Sequence, residues 1–225
     1  MAGHKITLTF DNGPYVGATD RLLDILGKHD VKATFFLVGN RLLEPGTKEL
    51  ARRAKAEGHW IGHHTMRHLV PLGMSEDPNH VQTEIAEADA IVAEFAHPNK
   101  FFRPPAKAYF GPHMISKAGL DYCVAHGHTI VTWNDIPRDG VEPRNGWVER
   151  LMQSIRQRDW TVTILHDHHL GVAMENFADF MDRAKGEGFT FVQELPDEVL
   201  PLYRGEIRHP VETFARTQDN YAKSA

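Results

Sequence analysis

Residues 6–14 read Ile6-Thr7-Leu8-Thr9-Phe10-Asp11-Asn12-Gly13-Pro14. The first five form a β-branched and apolar run of the kind that makes a strand, and the Gly-Pro that follows is a turn signal. Two polar residues, Asp11 and Asn12, stand where the strand ends. This unit of a short strand, polar end residues and a turn decides the fold, because the rest of the chain repeats it.

Six further strand runs follow: Ala33–Val38, Trp60–His64, Lys100–Arg103, Thr129–Trp133, Val162–His166 and Phe189–Val192. Amphipathic stretches separate them at Thr19–His29, Thr47–Glu57, Pro78–Phe95, Pro112–His126, Trp147–Arg158 and Gly171–Glu187. In the first of these, Leu22, Leu23, Ile25 and Leu26 recur at helical spacing; in the third, Val81, Ile85, Ala88 and Val92 share one face. Strand and helix alternating in this way give parallel β/α units. The expectation is an α/β fold, a distorted (β/α) barrel of about seven parallel strands spanning residues 1–202. The polar segment 203–225 has no clear period. It is expected to be an arm packed on the body or on a partner, or to be partly disordered.

The composition agrees with one globular domain. The chain has 225 residues, 41% hydrophobic and 24% charged, with 25 Lys+Arg against 30 Asp+Glu. No run of basic residues marks a nucleic-acid partner, and no apolar run reaches the ~18 residues of a membrane span. The lone cysteine, Cys123, closes no intrachain disulfide and reads as core. No signal peptide precedes Ile6, so a cytoplasmic location is expected. The oligomeric state stays open, a homo-oligomer included. The count of 15 histidines is the anomaly, to be settled by where they fall.

In a parallel β/α architecture, reactive groups collect at the C-terminal ends of the strands. Five such ends carry them here: Asp11-Asn12; His64-Thr65-Met66-Arg67-His68; Arg103-Pro104-Pro105-Ala106; Trp133 with Asp139 beyond it; and Leu165-His166. Two histidines four apart suit one cation, or else are exposed loop residues. Asp11 and Asn12 are site residues or simply part of an Asx turn. Arg103 has the fork to hold a carboxylate bidentately, and Asp139 would orient the His166 ring and raise its pKa. His63, beside His64, would enlarge the site, except that neighbours on a strand point to opposite faces. His168 and His169 read as solvated loop residues, as do His4, His29, His80, His97 and His209.

Taken together, these stretches resemble the polysaccharide deacetylase family, the NodB-homology domain of carbohydrate esterase family 4. Five family motifs appear in order over roughly residues 5–195, as Thr9-Phe10-Asp11-Asn12-Gly13-Pro14, His64-Thr65-Met66-Arg67-His68, Arg103-Pro104-Pro105-Ala106, Asp139-Gly140 after Trp133, and Ile164-Leu165-His166. The resemblance implies hydrolysis of a non-peptide C–N bond, usually removal of N-acetyl from a sugar. It implies a divalent metal, commonly zinc, on Asn12, His64 and His68. Asp11 would be the base, His166 the acid, Arg103 the group orienting Asp11 and Asp139 the group tuning His166. Pro105, Ala106, Trp133 and Leu165 would line the oxyanion and substrate side.

Three positions depart from the family pattern. Asn12 replaces a metal-binding Asp and removes a negative charge from the site. Ala106 replaces a Tyr whose backbone N–H serves the oxyanion hole, which any residue but proline keeps. Gly140 replaces a Trp, which removes a cover near His166 and is expected to widen the cleft. Deacetylation of an acetylated sugar or polysaccharide therefore stands beside two alternatives. One is an allantoinase-like hydrolase of small amides; the other is a catalytically silent member that binds a carbohydrate or a partner.

Overall fold

Alternation along the opening run sends Ile6, Leu8 and Phe10 to one face of the sheet and Thr7, Thr9 and Asp11 to the other, and all six are buried. A computed structural model describes residues 4–217 apart from 108, 144, 172 and 173. In chain order it forms β1 (Lys5–Asp11), α1 (Thr19–Lys28), β2 (Thr34–Leu37), α2 (Thr47–Ala56), β3 (Trp60–His63), α3 (Glu87–Val92), β4 (Phe101–Phe102), β5 (Ile115–Ser116), α4 (Lys117–Ala125) and β6 (Thr129–Ile130). It continues with α5 (Gly146–Ile155), β7 (Trp160–His166), α6 (Asp167–Leu170), α7 (Met174–Gly186), β8 (Thr190–Val192), β9 (Leu202–Tyr203), β10 (Glu206–Ile207) and β11 (Ala215–Arg216).

The main sheet runs β10-β9-β6-β4-β3-β2-β1-β7, with β8 added to the start of β1. The seven strands read from the sequence are all present and mutually parallel; β9 and β10 join antiparallel. The sheet curls into an incomplete barrel. Beyond β6, Asn134 and Asp135 reach β7 through backbone hydrogen bonds and one isolated bridge.

Parity along the strands sorts the core. The outer face packs on the helices, where α1 buries Leu22, Leu23 and Leu26, and α7 buries Phe177, Phe180 and Met181. Inside the curl, Phe36, Phe101, Val131, Val162, Val199 and Leu200 form a separate apolar cluster. A third cluster joins Phe102, Ile115, Leu120, Cys123 and Ile130 to Leu202, Phe214 and Ala215 near the other end of the chain.

The expected boundary at residue 202 falls inside β9. From there the chain runs on against the body: β9 pairs with β6, β11 pairs with β5, and Phe214 is fully buried. Residues 218–225 of the expected arm lie outside the described residues. The expected helix over 112–126 begins later, at Lys117, because Ile115 and Ser116 are drawn into pairing with β11. Ser116 then caps α4, its hydroxyl accepting from the Gly119 N–H at 3.0 Å. Among the described residues no helix is long and apolar enough to cross a membrane.

Candidate active site

Asp11 and His166 end adjacent parallel strands as direct register partners, so both side chains leave the sheet on its inner face. Ile164 shares that face. Leu165 lies between them on the opposite face, buried in the helix-side core, so the pocket takes Ile164 in place of the expected Leu165. The pocket, about 170 Å³, is lined by Asp11, Asn12, His64, His68, Pro104, Ala106, Lys107, Trp133, Ile136, Ile164 and His166. Pro105 is buried and contributes no lining; Pro104 and Ala106 do.

Arg103 enters the same interior from the end of β4 and is fully buried. Its guanidinium donates to Asp11 Oδ1 and Thr9 Oγ1, both at 2.8 Å, and to the Val131 and Thr132 carbonyls at 3.1 and 3.0 Å. The Phe36 ring lies 4.1 Å below it. Burial works to raise the Asp11 pKa, but the charges of Arg103, His64 and His166 outweigh it and hold the carboxyl below its ordinary value. Asp11 is therefore an ionised carboxylate with one oxygen committed to Arg103. The other stands 3.6 Å from His64 Nε2.

His64 follows β3. Gly62, two residues earlier on the same face, lies so close to Phe101 that an added Cβ would strike the Phe101 backbone. This close approach lets the Arg103 carbonyl meet His64 Nδ1 at 2.6 Å. The Nδ1 proton is donated there, which leaves the Nε2 lone pair facing the pocket. Burial pushes the His64 pKa down to about 3 and also lowers that of His68. The two rings lie 4.6 Å apart between centroids. His68, Thr65 and Asn12 all hold positive φ (52°, 65° and 74°) without being glycine, a costly conformation that three residues of this rim share.

The residues present fit a divalent cation. Asn12 Oδ1 is buried and accepts no hydrogen bond, and two neutral imidazoles stand beside it. One amide oxygen and two imidazole nitrogens form a mixed N/O donor set of the kind zinc and its neighbours accept.

Across the pocket, Asp139 grips His166 twice, Oδ1 to Nδ1 at 2.9 Å and Oδ2 to the backbone N–H at 2.6 Å. Burial works against the charged imidazole, but the Asp139 contacts outweigh it and raise the His166 pKa. Asp139 itself is held far below the carboxylate range by the same bonds.

Gly140 does not widen the cleft. A Cβ there would collide with the His169 ring, which occupies the space and approaches Asp139 Oδ1 at 3.6 Å. His168 and His169 belong to α6 and are half-buried; His168 packs on Tyr15 with centroids 4.9 Å apart. His80 is also buried, bonded to Ser116 and the Asp77 carbonyl. No motif pointed to His169, and the one available signal was the unfilled volume at Gly140. His63 faces the outer side, as strand alternation requires, and takes no part in the pocket.

An open, mostly parallel α/β barrel thus gathers an arginine-bound carboxylate, a carboxylate-bound imidazole and two further imidazoles at the C-terminal rim of its strands, the equipment of a hydrolytic site. Residues 1–123 match the polysaccharide deacetylase family, and the chain belongs to that family. It is 32% identical over 165 residues to a chitooligosaccharide deacetylase of Rhizobium leguminosarum bv. phaseoli, covering 72% of this chain and 68% of that protein. It is 27% identical over 192 residues to a peptidoglycan-N-acetylglucosamine deacetylase of Bacillus cereus, covering 83% and 84%. Among solved structures, a family 4 acetyl xylan esterase from Clostridium thermocellum in complex with a cobalt ion superposes with a TM-score of 0.66 at 28% identity, covering 84% of this chain and 87% of that one.

Proposed function

We propose that this protein hydrolyses the N-acetyl amide of an acetylated amino sugar or its polymer, with Asp11 as general base and His166 as general acid. The observation that carries this reading is the side-by-side placement of Asp11 and His166 at the rim of one pocket, each held by its own buried partner. An amide carbonyl is a weak electrophile and its nitrogen a poor leaving group, so the reaction needs a base for water and a separate acid for nitrogen. Arg103 keeps Asp11 ionised and ready to accept a proton on Oδ2. Asp139 keeps the His166 Nδ1 occupied, so Nε2 is the atom that delivers a proton to the departing amine.

Asn12, His64 and His68 would hold a divalent cation, zinc by donor type. Such an ion lowers the pKa of water toward about 7 and polarises a carbonyl. The Ala106 backbone N–H is the candidate oxyanion donor, and Trp133 and Ile164 wall the acyl side.

The test is acetate release from N-acetylglucosamine oligomers and peptidoglycan fragments by Zn²⁺- or Co²⁺-loaded protein, with small ureides and imides in parallel. Release from the sugars, lost in Asp11→Asn and His166→Ala, supports the reading. Turnover of the small amides alone would reassign the substrate. A second reading rests on Asn12, whose neutral oxygen leaves the site one charge short: a silent carbohydrate-binding member. Activity absent from the parent and gained on Asn12→Asp would select it.

A further inference from the structure

On the outer, helix-facing side of the sheet, away from the pocket, three side chains from distant segments converge. His63 ends β3, Asp89 lies on α3, and His128 immediately precedes β6. His63 and His128 are 3% and 0% exposed, so both rings sit in a dry layer. His63 Nε2 stands 3.3 Å from Asp89 Oδ1, and His128 Nε2 lies 2.9 Å from both Asp89 oxygens. One donor atom from each residue lies within 4.8 Å of the others. Neither ring nitrogen of His63 makes a hydrogen bond.

The rings are oriented by packing. His63 stacks on Phe102 at 4.4 Å and 10°, and meets His128 edge-on at 5.9 Å and 76°. The Tyr122 hydroxyl donates to Asp89 Oδ2 at 3.3 Å, an outer contact of the kind that steadies a ligating carboxylate. Asp89 is the least buried of the three, its side chain 28% exposed, and offers the way in from solvent.

We propose that His63, Asp89 and His128 form a second metal site, which takes a divalent first-row ion, zinc by preference, in a structural role. A tetrahedral ion with bonds of about 2.0–2.1 Å spaces its ligands about 3.3 Å apart, the separation of His63 Nε2 from Asp89. Two imidazoles and one carboxylate are a donor set that zinc accepts. The ion would give the unbonded His63 Nε2 a partner and tie β3, α3 and the turn after α4 together directly behind His64. The site shares no ligand with the candidate active site, so it stands or falls apart from the proposed deacetylation.

The experiment counts tightly held Zn²⁺ after dialysis in a His64→Ala/His68→Ala variant, which lacks the pocket imidazoles. The expected result is one Zn²⁺ per chain and a Tm several degrees higher with Zn²⁺ than after chelation, both lost when Asp89→Asn is added. No retained Zn²⁺ in the double variant, or retention undiminished by Asp89→Asn, overturns the proposal and leaves a His128–Asp89 hydrogen bond with His63 packed beside it. If the triple variant does not fold, Co²⁺ titration of the double variant decides. Intense tetrahedral visible bands support the site, and their absence overturns it.

Discussion

Asp139 holds His166 so that its charged form is favoured, and two measurable limbs follow from that one contact. A histidine with a raised native pKa adds stability that is fully present below the unfolded value near 6.5 and lost as pH rises through the native value. As the proposed general acid, His166 must also be protonated, so activity is expected to fall on the same alkaline side. Asp139→Asn should move the alkaline limb of kcat toward lower pH and reduce stability below pH 6.5. A pH–rate profile with parallel urea titrations checks both, and an unmoved limb would remove Asp139 from its tuning role. At Asn12 the expected change is a gain: Asn12→Asp supplies a carboxylate beside His64 and His68 and should tighten Zn²⁺ binding, read by competition with a chromophoric chelator. Asp11→Asn leaves the fully buried Arg103 without its counter-charge, and should cost about 3–5 kcal/mol in stability as well as about 10²–10⁴-fold in kcat.

At the scale of elements, the joint between α2 and β3 carries its own acid sensitivity. His59 Nδ1 accepts the Ala33 N–H at 3.1 Å, just before β2, and burial pushes the His59 pKa down to about 4. A depressed native pKa means stability that is present above about 6.5 and lost as pH falls toward 4, at up to about 1.4 kcal/mol per pH unit. His59→Gln should flatten the fall in urea midpoint over that window; an unchanged slope would assign the acid sensitivity to other groups. The long elements were legible in sequence because their periods are strong: the alternation of 6–10 and the apolar face of 19–28 announce themselves locally. The pairs β5–β11 and β9–β10 were not, since strands of two residues exist only through their partners. The same holds for the site. His64, His68 and His166 stood out by motif, whereas His169 over Gly140, and the meeting of His63, Asp89 and His128, arise from packing between segments that no local pattern connects.

For the molecule as a whole, the residues after β8 complete a core rather than trail from one. Phe214 and Leu202 are fully buried in the cluster with Phe102, Leu120 and Ile130. Phe214→Ala should therefore cost about 3–5 kcal/mol and lower Tm by ~2–4 °C for each kcal/mol. Thermal unfolding checks this, and a loss under 1 kcal/mol would mean that the segment only rests on the surface.

The pairing of β1 with β7 also governs the order in which this protein comes into being. Thr9 reaches across to the Thr163 carbonyl over 154 residues of chain, so during synthesis β1 waits for β7 to be made. At 5–20 residues per second that wait is roughly 8–30 s, with one edge of β1 open to any other strand it meets. Asp11 likewise has no His166 beside it until β7 emerges. A product that ends before β7 therefore lacks the acid of the proposed reaction.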